Sequence, residues 1–189
     1  MTMKTFFSDK PLKYDGTQLH SHFAYNSFNV SGDSIVSFIG PCDVAKENLV
    51  DLEDVHQGKF IFSENMLHFI IEHFHEDLTL TIAYQRLLID CLIQEITAAL
   101  GKDAPMLQRK GDDIYDDIHK LSVSIATQSP VSCLIHTGIN ISSKNTPLPT
   151  KGLEDYKINA QAIATGVMNR YRAELQSIEH ARSKVKGCA

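Results

Sequence analysis

The sequence predicts an α+β fold, with a largely antiparallel central sheet flanked by helices, and two observations carry that expectation. Apolar residues recur at helical spacing in two long segments near the middle and the end of the chain, whereas residues 106–142 change to the two-residue period of strands. With 189 residues, 43% of them hydrophobic and 22% charged, the chain suits one globular domain over 1–189.

Taken in order, Leu19–Asn29 reads as a short helix, and Ser34–Ile39 as a buried strand ended by Gly40–Pro41. Phe60–Phe74 fits two readings, a helix capped by Ser63 or a strand in which Leu67, Phe69 and Ile71 alternate with His68, Ile70 and Glu72, and the strand is preferred. The next segment is a core-packing helix. Leu80, Tyr84, Leu87, Leu88, Cys91, Leu92, Ile96 and Ala99 form its apolar stripe, between a capping Asp77 and Gly101. Its opposite face carries Arg86, Asp90 and Gln94, read as a solvated pair at helical spacing. Three strands are expected within Met106–Ser142, with Gln128-Ser129-Pro130 as a turn. Ser143–Gly152 is a loop long enough to cover a pocket. A last helix at about 159–184 turns Ile163, Val167, Tyr171, Leu175 and Ile178 inward and places Arg182 and Lys184 at its negative end.

Composition narrows the function classes. No apolar run approaches the roughly 20 residues of a membrane helix, and Met1–Asp15 lacks the apolar stretch of a secretory signal. Cys42, Cys91, Cys133 and Cys188 are too scattered for a disulfide framework or a zinc ribbon. These features point to a cytoplasmic protein. A net charge of −5 without an interior basic cluster argues against nucleic acid. The expected partner is therefore a small molecule, with no membrane association; a homodimer is left open.

The chemistry is sought on the sheet. In His119–Thr127 the period places Leu121, Val123 and Ile125 on a core face, opposite Lys120, Ser122, Ser124 and Ala126. In Val131–Ser142, Val131, Cys133, Ile135, Ile139 and Ile141 oppose Ser132, His136, Gly138 and Asn140. Paired as a hairpin, the two strands would form a floor of small residues from which Lys120, His136 and Asn140 rise; an ordinary half-wet sheet has the same pattern. Asp112 and Asp113, beside Gly111 at a strand start, could add a carboxylate for a metal or ligand, or simply form a turn.

At these residues the sequence resembles the biotin and lipoate protein ligases, of class II synthetase-like fold. Asp112-Asp113-Ile114, Lys120-Leu121-Ser122-Val123 and Thr137-Gly138-Ile139-Asn140 match that family's motifs in order, seven residues apart from Asp113 to Lys120 and twenty from Lys120 to Asn140. The resemblance implies that Lys120 contacts a substrate carboxylate and the phosphate of an acyl-adenylate, that Asp113 and Asn140 help hold the nucleotide and its metal, and that ATP and Mg2+ are the cofactors. Two departures stand out: Asp112 replaces an asparagine, and Gly40-Pro41-Cys42 is a poor counterpart of the family's glycine- and arginine-rich loop. Over its whole length the chain resembles the prokaryotic family designated domain of unknown function 366. Tyr14-Asp15-Gly16, Ser21-His22-Phe23-Ala24-Tyr25, Gly32-Asp33-Ser34, Asp51-Leu52-Glu53-Asp54 and residues 111–115 and 129–132 carry that likeness.

The candidate site thus comprises Lys120 and Asp113 as catalytic residues, with Asp112, Ser122, Ser124, His136, Gly138, Asn140 and His22 binding the ligand. His20, His22, His68, His73 and His75 invite a metal, yet no zinc-hydrolase spacing is present. Cys133 belongs to the apolar face. Asp51–Asp54 is read as a solvated turn rather than a Mg2+ site. Three functions compete: a ligase- or transferase-like enzyme acting on a carboxylate-bearing molecule or its nucleotidyl or acyl derivative; a non-catalytic binding module on the same fold; and a metal-dependent hydrolase using His20, His22 or Asp51–Asp54.

Overall fold

The computed structural model describes residues 3–74 and 77–188; His75, weighed above as a metal ligand, lies outside them. Strands β1 (Lys4–Ser8), β2 (Ser34–Val44), β3 (Ile61–His73), β7 (Ser122–Gln128) and β8 (Cys133–Asn140) form a five-stranded sheet in the order β1-β2-β3-β8-β7. Only the β1–β2 pair is parallel. Strands β4 (Leu107–Lys110), β5 (Asp113–Asp116) and β6 (His119–Lys120) make a small second sheet. Helices α1 (Phe23–Phe28), α2 (Leu52–His56), α3 (Leu78–Leu100) and α4 (Ala160–Lys184) complete the α+β architecture.

Both faces of the large sheet are covered, because β3 is apolar on both sides. Its Leu67, Phe69 and Ile71 pack with Leu88, Leu92 and Ile96 of α3 and Val167 and Tyr171 of α4. Its Met66 and Ile70 join Tyr14, Phe23, Val36 and Phe38 on the opposite side. Helix α3 has the limits its signals set: the Asp77 side chain accepts from Leu80 N, and Gly101 follows with φ 64. Helix α4 is capped likewise, with Asn159 accepting from Ala162 N.

Several expectations need correction. Strand β2 continues through Gly40–Pro41 to Val44, its register shifting between Gly40 and Cys42. The bulge tolerates the proline there, and the carbonyl of Pro41 accepts from Tyr14 N. Five strands, not three, occupy 107–140. Leu80 and Ala99 of α3 and Ile178 of α4 are exposed rather than inward. Arg86 and Asp90 do not pair: Arg86 approaches Asp112, and Asp90 accepts from Arg109 Nε at 3.0 Å.

The facing of β7 is also inverted. Ser122, Ser124 and Ala126 lie opposite Ile139, Thr137 and Ile135 and face the helices, whereas Val123 and Ile125 lie opposite Gly138 and His136 on the other side. The cause is a slip at Leu121. Lys120 still pairs with Tyr115 in the small sheet, and the next residues enter the large one. Leu121 and the strand that follows therefore do not share one uninterrupted pleat: Leu121 belongs to the helix-side core and Val123 to the opposite cluster. In β8 the expected facing holds.

Candidate functional site

Where the two sheets meet, a cavity of about 390 Å3 opens. The turn into β5 supplies Asp112, strands β5 and β6 supply Asp113, Tyr115 and Lys120, and β7 and β8 supply Ser122–Ile125, His136 and Asn140. The segment from Val44 to Ser63, including α2, forms one wall, and Thr146, Pro147, Leu148 and Thr150 form another. The 143–152 loop thus lines the pocket, tied down where Lys120 N donates to Pro149 O and Lys151 N to Lys120 O.

Lys120 and Asp113 are brought together, with Nζ 2.7 Å from Oδ2 and both side chains largely buried. Burial raises the Asp113 carboxyl above its usual range, opposed by the adjacent ammonium and reinforced by the charge of Asp112. Ser122 donates weakly to Asp113 Oδ1 at 3.4 Å and accepts from Ile114 N at 2.8 Å, so its hydroxyl holds the strand entrance.

Asp112 is anchored from behind by α3. Gln85 Nε2 donates to its Oδ2 at 3.1 Å, and Arg86 Nη1 lies 3.2 Å from Oδ1 without hydrogen-bond alignment. The same Gln85 nitrogen donates to Ser124 Oγ at 2.8 Å; Ser124 in turn donates to His136 O and meets Thr137 Oγ1 at 2.8 Å. Ser124 is therefore a structural tie between helix and sheet. The negative charge added by Asp112 is partly met by Arg86, whose helical position gives it this reach.

The cavity floor was not foreseen as a unit. Tyr14 stacks on His136 with ring centroids 3.6 Å apart, and His136 is linked to the fully buried His68, Nε2 to Nδ1, at 3.1 Å. His68 Nε2 lies 3.2 Å from Gly40 O. Burial lowers the His68 pKa to about 4 and holds His136 well below its ordinary value, so both rings are neutral near pH 7. These residues come from distant segments that show no shared local pattern; only the polar-face placement of His136 pointed to it.

Other expected members stand apart. Gly138 packs under Met66: a Cβ there would come within 2.8 Å of Met66 Cε, so its smallness admits a core side chain rather than a ligand. His22 precedes α1 with φ 64, and its N–H donates to the buried Glu72. It is not among the residues lining the cavity. Asp51 caps α2 through Glu53 N and Asp54 N, and Asp54 pairs with Lys59 at 2.9 Å, so the segment read as a solvated turn is the start of a helix on the cavity wall. Among the described residues no three His, Cys, Asp or Glu side chains converge as metal ligands. Nor, among the described residues, is any helix long and apolar enough to cross a membrane. Cys42 and Cys91 are buried thiols raised to about 12 by that burial, while Cys133 packs as a small apolar group.

The architecture is that of the biotin and lipoate protein ligases. The biotin protein ligase of Aquifex aeolicus in complex with biotin and ATP superposes with a TM-score of 0.63 at 14% identity, over 94% of this chain and 72% of that one. A T. acidophilum protein assigned as a lipoate protein ligase, with bound lipoic acid, gives 0.59 at 12% identity, over 93% and 87%. Within that fold the chain belongs to the family designated domain of unknown function (DUF366), whose pattern matches residues 3–186. An uncharacterized protein of Methanocaldococcus jannaschii is 35% identical over 184 residues, covering 94% of this chain and 81% of the relative. A protein of unknown function from Pyrococcus horikoshi superposes with a TM-score of 0.91 at 34% identity, over 100% of both chains.

Proposed function

We propose that the cavity binds a carboxylate-bearing small molecule, or its nucleotidyl or acyl derivative, and that the protein acts as a ligase or acyl transferase. The observation that carries this reading is the half-buried Lys120–Asp113 pair, set at a cavity on a fold whose solved members hold biotin, ATP or lipoic acid. A fixed ammonium beside a poorly solvated carboxylate is poised to change partner. An incoming carboxylate or phosphate would draw Lys120 Nζ toward itself, and the ammonium would stabilise charge growing on phosphate during acyl transfer.

The electrostatics set a condition on any nucleotide. Asp51, Glu53, Asp54, Asp112 and Asp113 line the cavity against Lys59 and Lys120. So acidic a lining repels free ATP and suits a nucleotide whose phosphates are bridged by Mg2+, with Asp113 as the carboxylate nearest Lys120. Thermal shift with ATP, alone and with Mg2+, is the test. Stabilisation only when both are present is expected in wild type, and its loss in Asp113→Asn. Absence of any nucleotide response would remove ATP from the proposal.

A second reading, binding without turnover, has its own support. Residues 40–42 lie within β2, and a side chain at Gly40 would collide with the Leu12 backbone. That segment is therefore not a loop free to close over an adenylate. Mass spectrometry of molecules that co-purify separates the readings, since an adenylate points to the enzyme and an unactivated acid to the binding module.

A further inference from the structure

The histidine chain beneath the cavity fixes what kind of group the floor can recognise. The Gly40 carbonyl can only accept, so His68 carries its proton on Nε2. His68 is neutral, which leaves a lone pair on its Nδ1. Two ring nitrogens 3.1 Å apart share one proton, and here it must come from His136 Nε2. His136 is neutral in turn, so its Nδ1 is an acceptor. That atom has no partner among the described residues, yet it is not one of the sealed, unpartnered side-chain atoms, which are Ser34 Oγ, Arg86 Nη1 and His119 Nδ1. His136 is 3% exposed, and it lines this cavity. The chain of bonds starts at a backbone carbonyl, so its polarity cannot be reversed by turning a hydroxyl.

We infer that His136 Nδ1 is a recognition point for a neutral hydrogen-bond donor, an N–H or O–H, carried by the end of the ligand remote from its anionic group. The inference rests on the reading that the cavity takes a carboxylate-bearing ligand at Lys120. The two ends are then told apart by charge and by hydrogen-bond sense. An anion is unwelcome at His136, where a lone pair would face its oxygens, and is drawn instead to the Lys120 ammonium, which can only donate. Both residues line the one cavity, so a single ligand can reach Lys120 with one end and His136 with the other. Tyr14, stacked on the imidazole, keeps the ring from rotating away from that position.

The test compares linear carboxylic acids from butanoic to decanoic with their ω-hydroxy counterparts by calorimetric titration of the whole protein. At the best-fitting length the hydroxy acid should bind about ten-fold more tightly than its parent, the value of one neutral hydrogen bond. That preference should vanish in His136→Phe and survive in His136→Gln, whose amide can donate to His68 and still present an oxygen. Long-range proton–nitrogen correlation of the histidine rings gives a readout that needs no variant. Both rings should appear as neutral Nε2–H tautomers, with His136 Nδ1 shifting when the hydroxy acid binds. Equal affinity for the two acids, with binding still dependent on Lys120, would overturn the inference and leave the proposed function standing. A proton on His136 Nδ1 would overturn it as well. Failure of every acid to bind would remove the proposed function and this inference together.

Discussion

Replacing Ser124 by alanine should destabilise the protein by about 2 kcal/mol, far more than a surface hydroxyl contributes. The hydroxyl donates to His136 O at 3.0 Å, meets Thr137 Oγ1 at 2.8 Å and accepts from Gln85 Nε2 at 2.8 Å. Thr137 is fully buried and Gln85 nearly so. Alanine deletes bonds worth about 1 kcal/mol and leaves the buried Thr137 hydroxyl without this partner, a further penalty of about 1 kcal/mol. Gln85 keeps Asp112 as an acceptor, which limits the loss. For a domain of this size the total corresponds to a fall in Tm of about 4 to 8 °C. Urea denaturation of wild type, Ser124→Ala and the exposed control Ser183→Ala measures it. A change below about 0.5 kcal/mol in Ser124→Ala would refute the placement of Ser124 between α3 and β8.

Gly40→Ala should abolish stable folding, because the new methyl falls on the Leu12 carbonyl, whereas Gly138→Ala meets side chains alone, the flexible end of Met66 and Val123 Cγ2, and should cost about 1 to 3 kcal/mol; soluble yield and Tm compare them. Stability should fall on acidification: below about pH 6.5 the unfolded chain binds a proton at position 68 that the buried ring refuses until about pH 4. Over that window His68 alone removes on the order of 3 kcal/mol, so urea midpoints should drop between pH 7 and pH 4.5, and less steeply in His68→Gln.

How far the sequence discloses this molecule depends on whether a feature is local. The limits of helix α3 are legible to the residue, since Asp77 and Gly101 act within one segment. Strand β3 was legible as a strand, but not that its second face is buried, because that depends on Tyr14 and Phe38 arriving from elsewhere. Gly40–Pro41 looks like a terminus and is a bulge, since the partner that accommodates it, Leu12–Tyr14, is distant in the chain. Counting by twos from Leu121 misplaced Val123 and Ser124, because the count ran across a passage between two sheets. The Lys120–Asp113 pair was reached by resemblance and by the polarity of its neighbours. The Tyr14, His136 and His68 stack was not, for no spacing links positions 14, 68 and 136.

The most direct measurement of the central claim is a calorimetric titration of wild type and Lys120→Ala with the tightest-binding acid of the linear series. Removing the ammonium takes away a charge-assisted contact worth about 1.5 to 3 kcal/mol, so affinity should fall about ten- to a hundred-fold. Asp113, left without its partner, can take up a proton, which keeps the variant folded and the comparison valid. Lys120→Arg should recover only part of the loss, since a planar guanidinium does not replace a compact ammonium. An alanine variant that binds the acid as tightly as wild type would contradict the account and return Lys120 to the role of a structural partner of Asp113.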